Sequence, residues 1–282
     1  MESWVFLAAF YGVSKGLREC IKKAAVKKSN VIEVLFFYTA FAFVLTTLFS
    51  HNIFGFSASY HVLIVAKSLA CFFAWICAFN SIKNMPVSIY GVIDSSRMIF
   101  SAMLAVLFLG ETMTGLKIIG FVCVSVGVIV VNIGNKSDEK VGTKYLAGAL
   151  LSCFLNALSG FLDKKILTLG EINSSQLQFW FMFYMTLLYL GYVIFARIPI
   201  KLSTIKSNYW IILMSVIFVL ADRMLFLANE DPQSQVTVMT LLKQSSVIVT
   251  VITGWFVYKE KDIFKRTICA LVVLIGIVVA TL

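Results

Sequence analysis

Residues 86–111 read PVSIYGVIDSSRMIFSAMLAVLFLGE, and residues 235–260 read QVTVMTLLKQSSVIVTVITGWFVYKE. Both are long apolar stretches broken near the middle by charge, and they coincide when the sequence is slid on itself by about 149 residues. Asp94 then falls on Lys243 and Glu111 on Glu260, while Asn80 falls on Asn229 and Gly127 on Gly276. A charge at the centre of a bilayer costs roughly 2.5–3.5 kcal/mol on insertion scales. One such charge in each copy of a duplicated unit points to a polar site between the halves.

Composition agrees with a membrane setting. Of 282 residues, 60% are hydrophobic and 13% charged, and mean hydropathy is +0.92, which excludes an ordinary soluble domain. Apolar runs long enough to cross a bilayer predict ten spans, near 4–22, 31–49, 61–80, 86–109, 115–133, 145–166, 176–196, 208–228, 234–257 and 264–281. The spans consume nearly the whole chain, so the expected fold class is an all-α membrane protein, because lipid offers no partner to an unpaired backbone. Two five-span halves, 1–134 and 141–282, flank the polar linker 135–140. An odd span count per half turns the second copy over. That is the inverted-repeat plan of many carriers, with a central cavity at the repeat interface.

The net charge of +10 reads as loop charge facing the cytoplasm, and no nucleic-acid partner is expected. Lys and Arg concentrate after spans one, five, seven and nine, at Lys22, Lys23, Lys27 and Lys28, at Lys136, Lys140 and Lys144, at Arg197, Lys201 and Lys206, and at Lys259, Lys261, Lys265 and Arg266. The loops 51–60 and 229–233 have none. The positive-inside rule places the odd loops in the cytoplasm and both termini outside, in a multi-pass cell-membrane protein. The six cysteines form no close pair and predict neither a disulfide framework nor a metal site. No cleaved signal peptide and no cofactor are expected.

Membrane charge is unevenly placed. Spans five, seven and ten have no ionisable residue in their interiors. Lys15, Arg18, Glu19, Lys67, Asp94, Arg97, Asp163, Asp222, Arg223 and Lys243 fall on spans one, three, four, six, eight and nine. Helices that line a wet cavity carry such residues, and helices that face lipid do not. Residues three, four and seven apart share a helix face. The resulting polar stripes are Tyr11, Lys15, Arg18, Lys22; Tyr90, Asp94, Arg97, Ser101; Ser152, Asn156, Ser159, Asp163; Asp222, Phe226, Asn229; and Thr240, Lys243, Thr250. Blander readings compete: Asp94 and Arg97 could neutralise one another, and Asp94 and Lys243 could brace the halves. Arg18, Lys22, Lys67, Lys164 and Lys165 could snorkel to the interface. Tyr60, His61, Tyr209 and Trp210 fit an aromatic belt, neither His51 nor His61 is assigned chemistry, and the span glycines read as packing contacts.

The segments Gly12-Val13-Ser14-Lys15, Met85-Pro86-Val87-Ser88, Leu109-Gly110-Glu111, Ser159-Gly160-Phe161-Leu162-Asp163-Lys164 and Lys259-Glu260-Lys261-Asp262 carry a family resemblance in their order and spacing. The chain resembles the ten-helix, EamA-type members of the drug/metabolite transporter superfamily. That resemblance implies export or exchange of small metabolites, through a cavity lined by helices one to four and six to nine, with helices five and ten peripheral. It also implies both termini inside, opposite to the charge bias.

Deep cations outnumber deep anions, so the expected substrate is an anionic or zwitterionic small molecule, such as an amino acid. Arg97 and Lys243 would hold a carboxylate or phosphate. Asp94 or Asp163 would take an amino group, or couple a proton. Lys15 and Asp222 join the expected site through their stripes. Tyr90, Asn80, Asn156, Asn229, Trp75 and Gln244 would supply hydrogen bonds or stacking. The alternative is a flippase or carrier of a phosphate-bearing, lipid-linked substrate. An enzyme is not expected: HExxH, P-loop and GxGxxG motifs are missing from the sequence. A ring of like charge, as in a channel, is not evident either. The expected partners are the substrate and the bilayer, with the chain a monomer or homodimer.

Overall fold

The structure is a computed structural model that describes residues 3–50, 52–84, 90, 93–94, 96–133 and 142–246, with 249, 268, 271–272, 275–276 and 278–279 beyond them. Its helices are α1 (Ser3–Lys28), α2 (Val31–Phe49), α3 (Ser59–Asn84), α4 (Arg97–Leu109), α5 (Gly115–Ile133), α6 (Thr143–Thr168), α7 (Ser174–Phe195), the short α8 (Ser203–Ser207), α9 (Trp210–Glu230) and α10 (Val236–Leu242). A 3₁₀ turn, Lys243–Ser245, follows α10 directly. No strand occurs among the described residues.

The second and fifth expected spans coincide with α2 and α5. α1 runs six residues past its expected end, because Lys22, Lys23, Lys27 and Lys28 lower hydropathy but are good helix formers. α3 overshoots likewise, through Ser81-Ile82-Lys83-Asn84. Among the described residues, five helices (α2, α3, α6, α7, α9) are long and apolar enough to cross a membrane. The linker 135–140, the Met85–Ser88 and Lys259–Asp262 segments, Thr250, and most of the tenth expected span lie outside the described residues.

The long helices pack in reciprocal pairs. α3 lies against α6 and α7, α9 lies against α1 and α2, and α2 faces α7. α4 contacts α6 and α10, while α10 and its 3₁₀ turn contact α1. Exchange of the first five spans for the last five maps α3–α6 onto α9–α1 and α3–α7 onto α9–α2.

Hydrophobic driving force between helices is weak in lipid, so close backbone approach through small residues matters more. Gly12 and Gly16 provide it on α1. A Cβ at Gly12 would lie 2.7 Å from the Leu242 carbonyl oxygen, and one at Gly16 2.8 Å from that of Ser246. The seam therefore seats α1 on the 3₁₀ turn itself. Gly276 plays the same part against α5, where its Cβ would stand 2.9 Å from the Gly120 carbonyl oxygen.

Polar side chains tie the helix ends together. Asn173 and Gln176 form a capping box at the start of α7, and the Gln176 amide also donates to the carbonyls of Asn52 and Phe54. Trp180 Nε1 adds a bond to the Ile53 carbonyl at 2.9 Å. Tyr60 is buried and packs on Phe56, and Tyr184 and His61 hydrogen-bond at 2.9 Å, so two of the expected belt residues serve this junction instead. Tyr209 is exposed and stacks on Trp210 at 4.6 Å, as a belt pair would.

Glu111 closes the other end of α4. Its carboxylate accepts from Val236 N at 2.5 Å, Thr237 N at 3.0 Å and Thr237 Oγ1 at 2.6 Å, capping the N-terminus of α10. A negative charge there also meets the positive end of the helix dipole. Glu111→Ala is expected to cost about 1–2 kcal/mol, as lost N-caps do. Thermal unfolding in detergent checks this, and a transition identical to the parent's would show that the cap contributes nothing.

Candidate functional site

An internal cavity of about 100 Å³ lies among the helices. α1 contributes Tyr11, Lys15, Arg18, Glu19 and Lys22 to its wall, α2 contributes Tyr38, and α3 contributes Lys67, Cys71, Trp75 and Phe79. Tyr90, Arg97 and Ser101 line it from the fourth span; Asn156, Ser159 and Asp163 from α6; Phe181 from α7. Phe218, Asp222 and Phe226 of α9, Thr240 of α10, and Lys243 and Gln244 of the 3₁₀ turn complete it. No described residue of the fifth span takes part. Periodicity explains the selection: Tyr11, Lys15, Arg18 and Lys22 are one face of one helix.

Two ionic groups occupy the chamber. In the first, Asp94 binds Lys15 at 3.2 Å and Arg97 at 2.8 Å. Lys22 binds Glu19 at 2.7 Å on the same side of α1 and lies 4.9 Å from the centre of the Phe79 ring. In the second, Lys67 Nζ lies 2.8 Å from Asp163 Oδ1, an ion pair off the ideal hydrogen-bonding direction. The Lys67 ammonium also stands 3.3 Å above the Phe181 ring and 4.8 Å from that of Phe226. Cys71 Sγ donates to Ser159 Oγ at 3.0 Å beside it. Cation–π contacts of this kind are strongest where water is excluded.

Between these groups are charged side chains without an ion pair among the described residues. Arg18 rests 5.0 Å from the Phe218 ring, and its Nη1 is buried without a hydrogen-bond partner. Lys243 sits 5.5 Å from the Tyr11 ring. Asp222 is 6% exposed and has no ion pair or hydrogen bond from its side chain among the described residues. In all, six cations face the cavity against three carboxylates, with Asp94 as a fourth behind Lys15 and Arg97.

Of the twelve residues expected at the site, nine line this cavity: Lys15, Trp75, Tyr90, Arg97, Asn156, Asp163, Asp222, Lys243 and Gln244. Asp94 does not face it, because its carboxylate is turned onto Lys15 and Arg97. Asn80 is also elsewhere, and its amide donates to the Ile76 carbonyl of its own helix. Asn229 is fully buried beyond the cavity and donates to the Leu225 carbonyl. The Asp94–Arg97 pair predicted as mutual neutralisation is present, with Lys15 added. A direct Asp94–Lys243 brace is not.

Several residues expected to snorkel do otherwise. Arg18, Lys22 and Lys67 line the cavity, because the α1 and α3 faces that carry them point inward. Lys164 is buried, with its ammonium donating to the carbonyls of Asn229 and Asp231 and to Ser234 Oγ, where it closes the turn between α9 and α10. Lys165 is exposed as expected. Arg223 points away, donating to Ser175 Oγ at 2.9 Å. The polar stripe on α1 already held the signal for Arg18 and Lys22. Phe226 fell on the expected Asp222 stripe, whereas Phe79, Phe181 and Phe218 gave no such signal in an apolar helix.

Fold and chamber together define an all-α membrane protein with a charged internal cavity. Residues 2–133, a little under half of the chain, match the EamA-like transporter family of the drug/metabolite transporter superfamily. An uncharacterized transporter of Schizosaccharomyces pombe is 30% identical over 84 residues, which is 30% of this chain and 22% of that protein's length. A solved crystal structure superimposes with a TM-score of 0.70 over 99% of this chain and 95% of its own, at 12% identity, a likeness of fold alone.

Proposed function

We propose that the chain is a secondary active transporter that moves a small anionic or zwitterionic metabolite, such as an amino acid, across the cell membrane by alternating access. The observation that carries this reading is the excess of cations around a chamber of about 100 Å³. A cavity near 150 Å³ admits a benzene-sized molecule, so this volume suits a substrate of a few heavy atoms. It suits a lipid-linked headgroup poorly. The reciprocal helix pairs support two inverted five-span halves, 1–134 and 141–282, rocking against each other around the chamber. Loop charge favours odd loops in the cytoplasm and both termini outside. One pair of halves already encloses the chamber, so a monomer suffices.

Arg97 and Lys243 are the proposed anion holders, and Asp163 faces a substrate amino group. Asp94 acts behind them by orienting Arg97. The test is uptake of a panel of amino acids and small organic acids into proteoliposomes. Arg97→Ala and Lys243→Ala, at equal reconstitution, are each expected to lower uptake of the transported compound at least about tenfold, since a hydrogen bond to a charged group contributes roughly 1.5–3 kcal/mol. Uptake at the parent rate in both variants would sink the assignment.

A further inference from the structure

Four carboxylates lie in or behind the chamber, and three are committed to cations. Glu19 is held by Lys22, Asp94 by Lys15 and Arg97, and Asp163 by Lys67. Asp222 differs from them. It is buried in the cavity wall on α9 with no ion pair among the described residues. An isolated carboxylate out of water tends to neutralise itself by taking a proton. A carboxylate already bound to an ammonium gains much less by doing so.

The surroundings of Asp222 give that proton a consequence. From α1 it is faced by Arg18 and by the Tyr11 hydroxyl, and from α2 by the Tyr38 hydroxyl. α3 brings Lys67 and the Cys71 thiol, α6 brings Asp163, and the 3₁₀ turn brings Lys243. α7, also packed on α9, presents the Gln178 amide, which is spent on the Val219 carbonyl. Arg223, next in sequence, is turned toward Ser175. While ionised, Asp222 competes with any incoming anion for Arg18 and Lys243, the two cations near it without an ion pair among the described residues. Once protonated, it leaves those cations to the anion.

We propose that Asp222 is the proton-binding site of the chamber, and that proton and anionic substrate bind it together and cross together. The proton comes from the solution on the loading side, forms an O–H bond on the carboxylate, and leaves to the opposite solution with the substrate. No bond within the substrate changes. The coupling rests on the transport reading above; the proton site does not.

The proton serves as its own probe. Purified protein in lipid nanodiscs is titrated by infrared difference spectroscopy. The expected result is a protonated-carboxyl C=O stretch that is lost in Asp222→Asn and returns at a shifted frequency in Asp222→Glu. A band that survives unchanged in Asp222→Asn overturns the proposal, as does wild-type protein in which no carboxyl titrates. If Asp222→Asn does not fold, Asp222→Glu decides alone: an unshifted band counts against the site. In proteoliposomes, an inward proton gradient should drive accumulation of the transported panel compound. Asp222→Asn should reduce the gradient's effect by about tenfold or more, within the usual range of coupling between sites. If no panel compound is carried by the wild type, the transport reading fails, and the infrared titration still decides the proton site.

Discussion

Asp163→Ala should destabilise the protein by about 3–5 kcal/mol, the usual cost of removing one partner from a buried ion pair. Its partner Lys67 has a side chain 2% exposed, and that of Asp163 is 6% exposed, so the stranded ammonium would have no solvent to turn to. The aromatic faces of Phe181 and Phe226 would remain, but a ring quadrupole replaces only part of a carboxylate's field. Joint replacement, Lys67→Met with Asp163→Leu, should restore most of the lost stability, because neither charge then needs compensation. Denaturation of the purified protein in mixed micelles measures both. A single variant as stable as the parent would show that water reaches this pair freely.

Gly16→Leu should be comparably severe for a different reason. Its first added carbon would fall 2.7 Å from Val249 Cβ and 2.8 Å from the Ser246 carbonyl oxygen. Backbone cannot yield as a flexible side chain does, so α1 must move away from the 3₁₀ turn. Overpacking of a well-filled core costs about 1–3 kcal/mol, occasionally more. Gly12→Leu meets the Leu242 carbonyl oxygen and Ser245 Oγ in the same way. Separation of α1 from Lys243 would also widen the chamber, so anion uptake should fall further than stability alone requires. Gly115→Leu, with open space around its Cβ position, is the control. Equal stability and uptake in all three variants would rule out a tight seam.

The sequence carried the architecture because two signals in it are physically strong. Twenty apolar residues in a row have few homes outside a bilayer, and ionisable residues within them have few positions outside a wet interior. Stripes such as Tyr11, Lys15, Arg18, Lys22 therefore located the chamber wall on α1 correctly. The stripes failed at Asn229, where the face continues past the chamber into the turn closed by Lys164. Asp94 fell on the right face of its helix but behind two cations, since spacing along one helix does not report which neighbour claims a side chain. Helix ends were set too short at α1 because hydropathy measures affinity for lipid, whereas helix length follows backbone bonding. Trp75, Tyr90 and Phe226 of the aromatic wall were legible from their stripes or polar edges, but Phe79, Phe181 and Phe218 were not, because a phenylalanine facing a cavity and one facing lipid look alike in a single sequence.

The positions of Lys67, Arg18 and Lys22 above phenyl rings have a consequence for selectivity. Those π faces are the natural berths for a quaternary amine, and the chain's own side chains already fill them. A positively charged drug would have to evict a tethered tenant from each face, with no gain in contacts and with added repulsion. The chamber thus comes with its cation places taken, and a guest of opposite sign is the one it leaves room for.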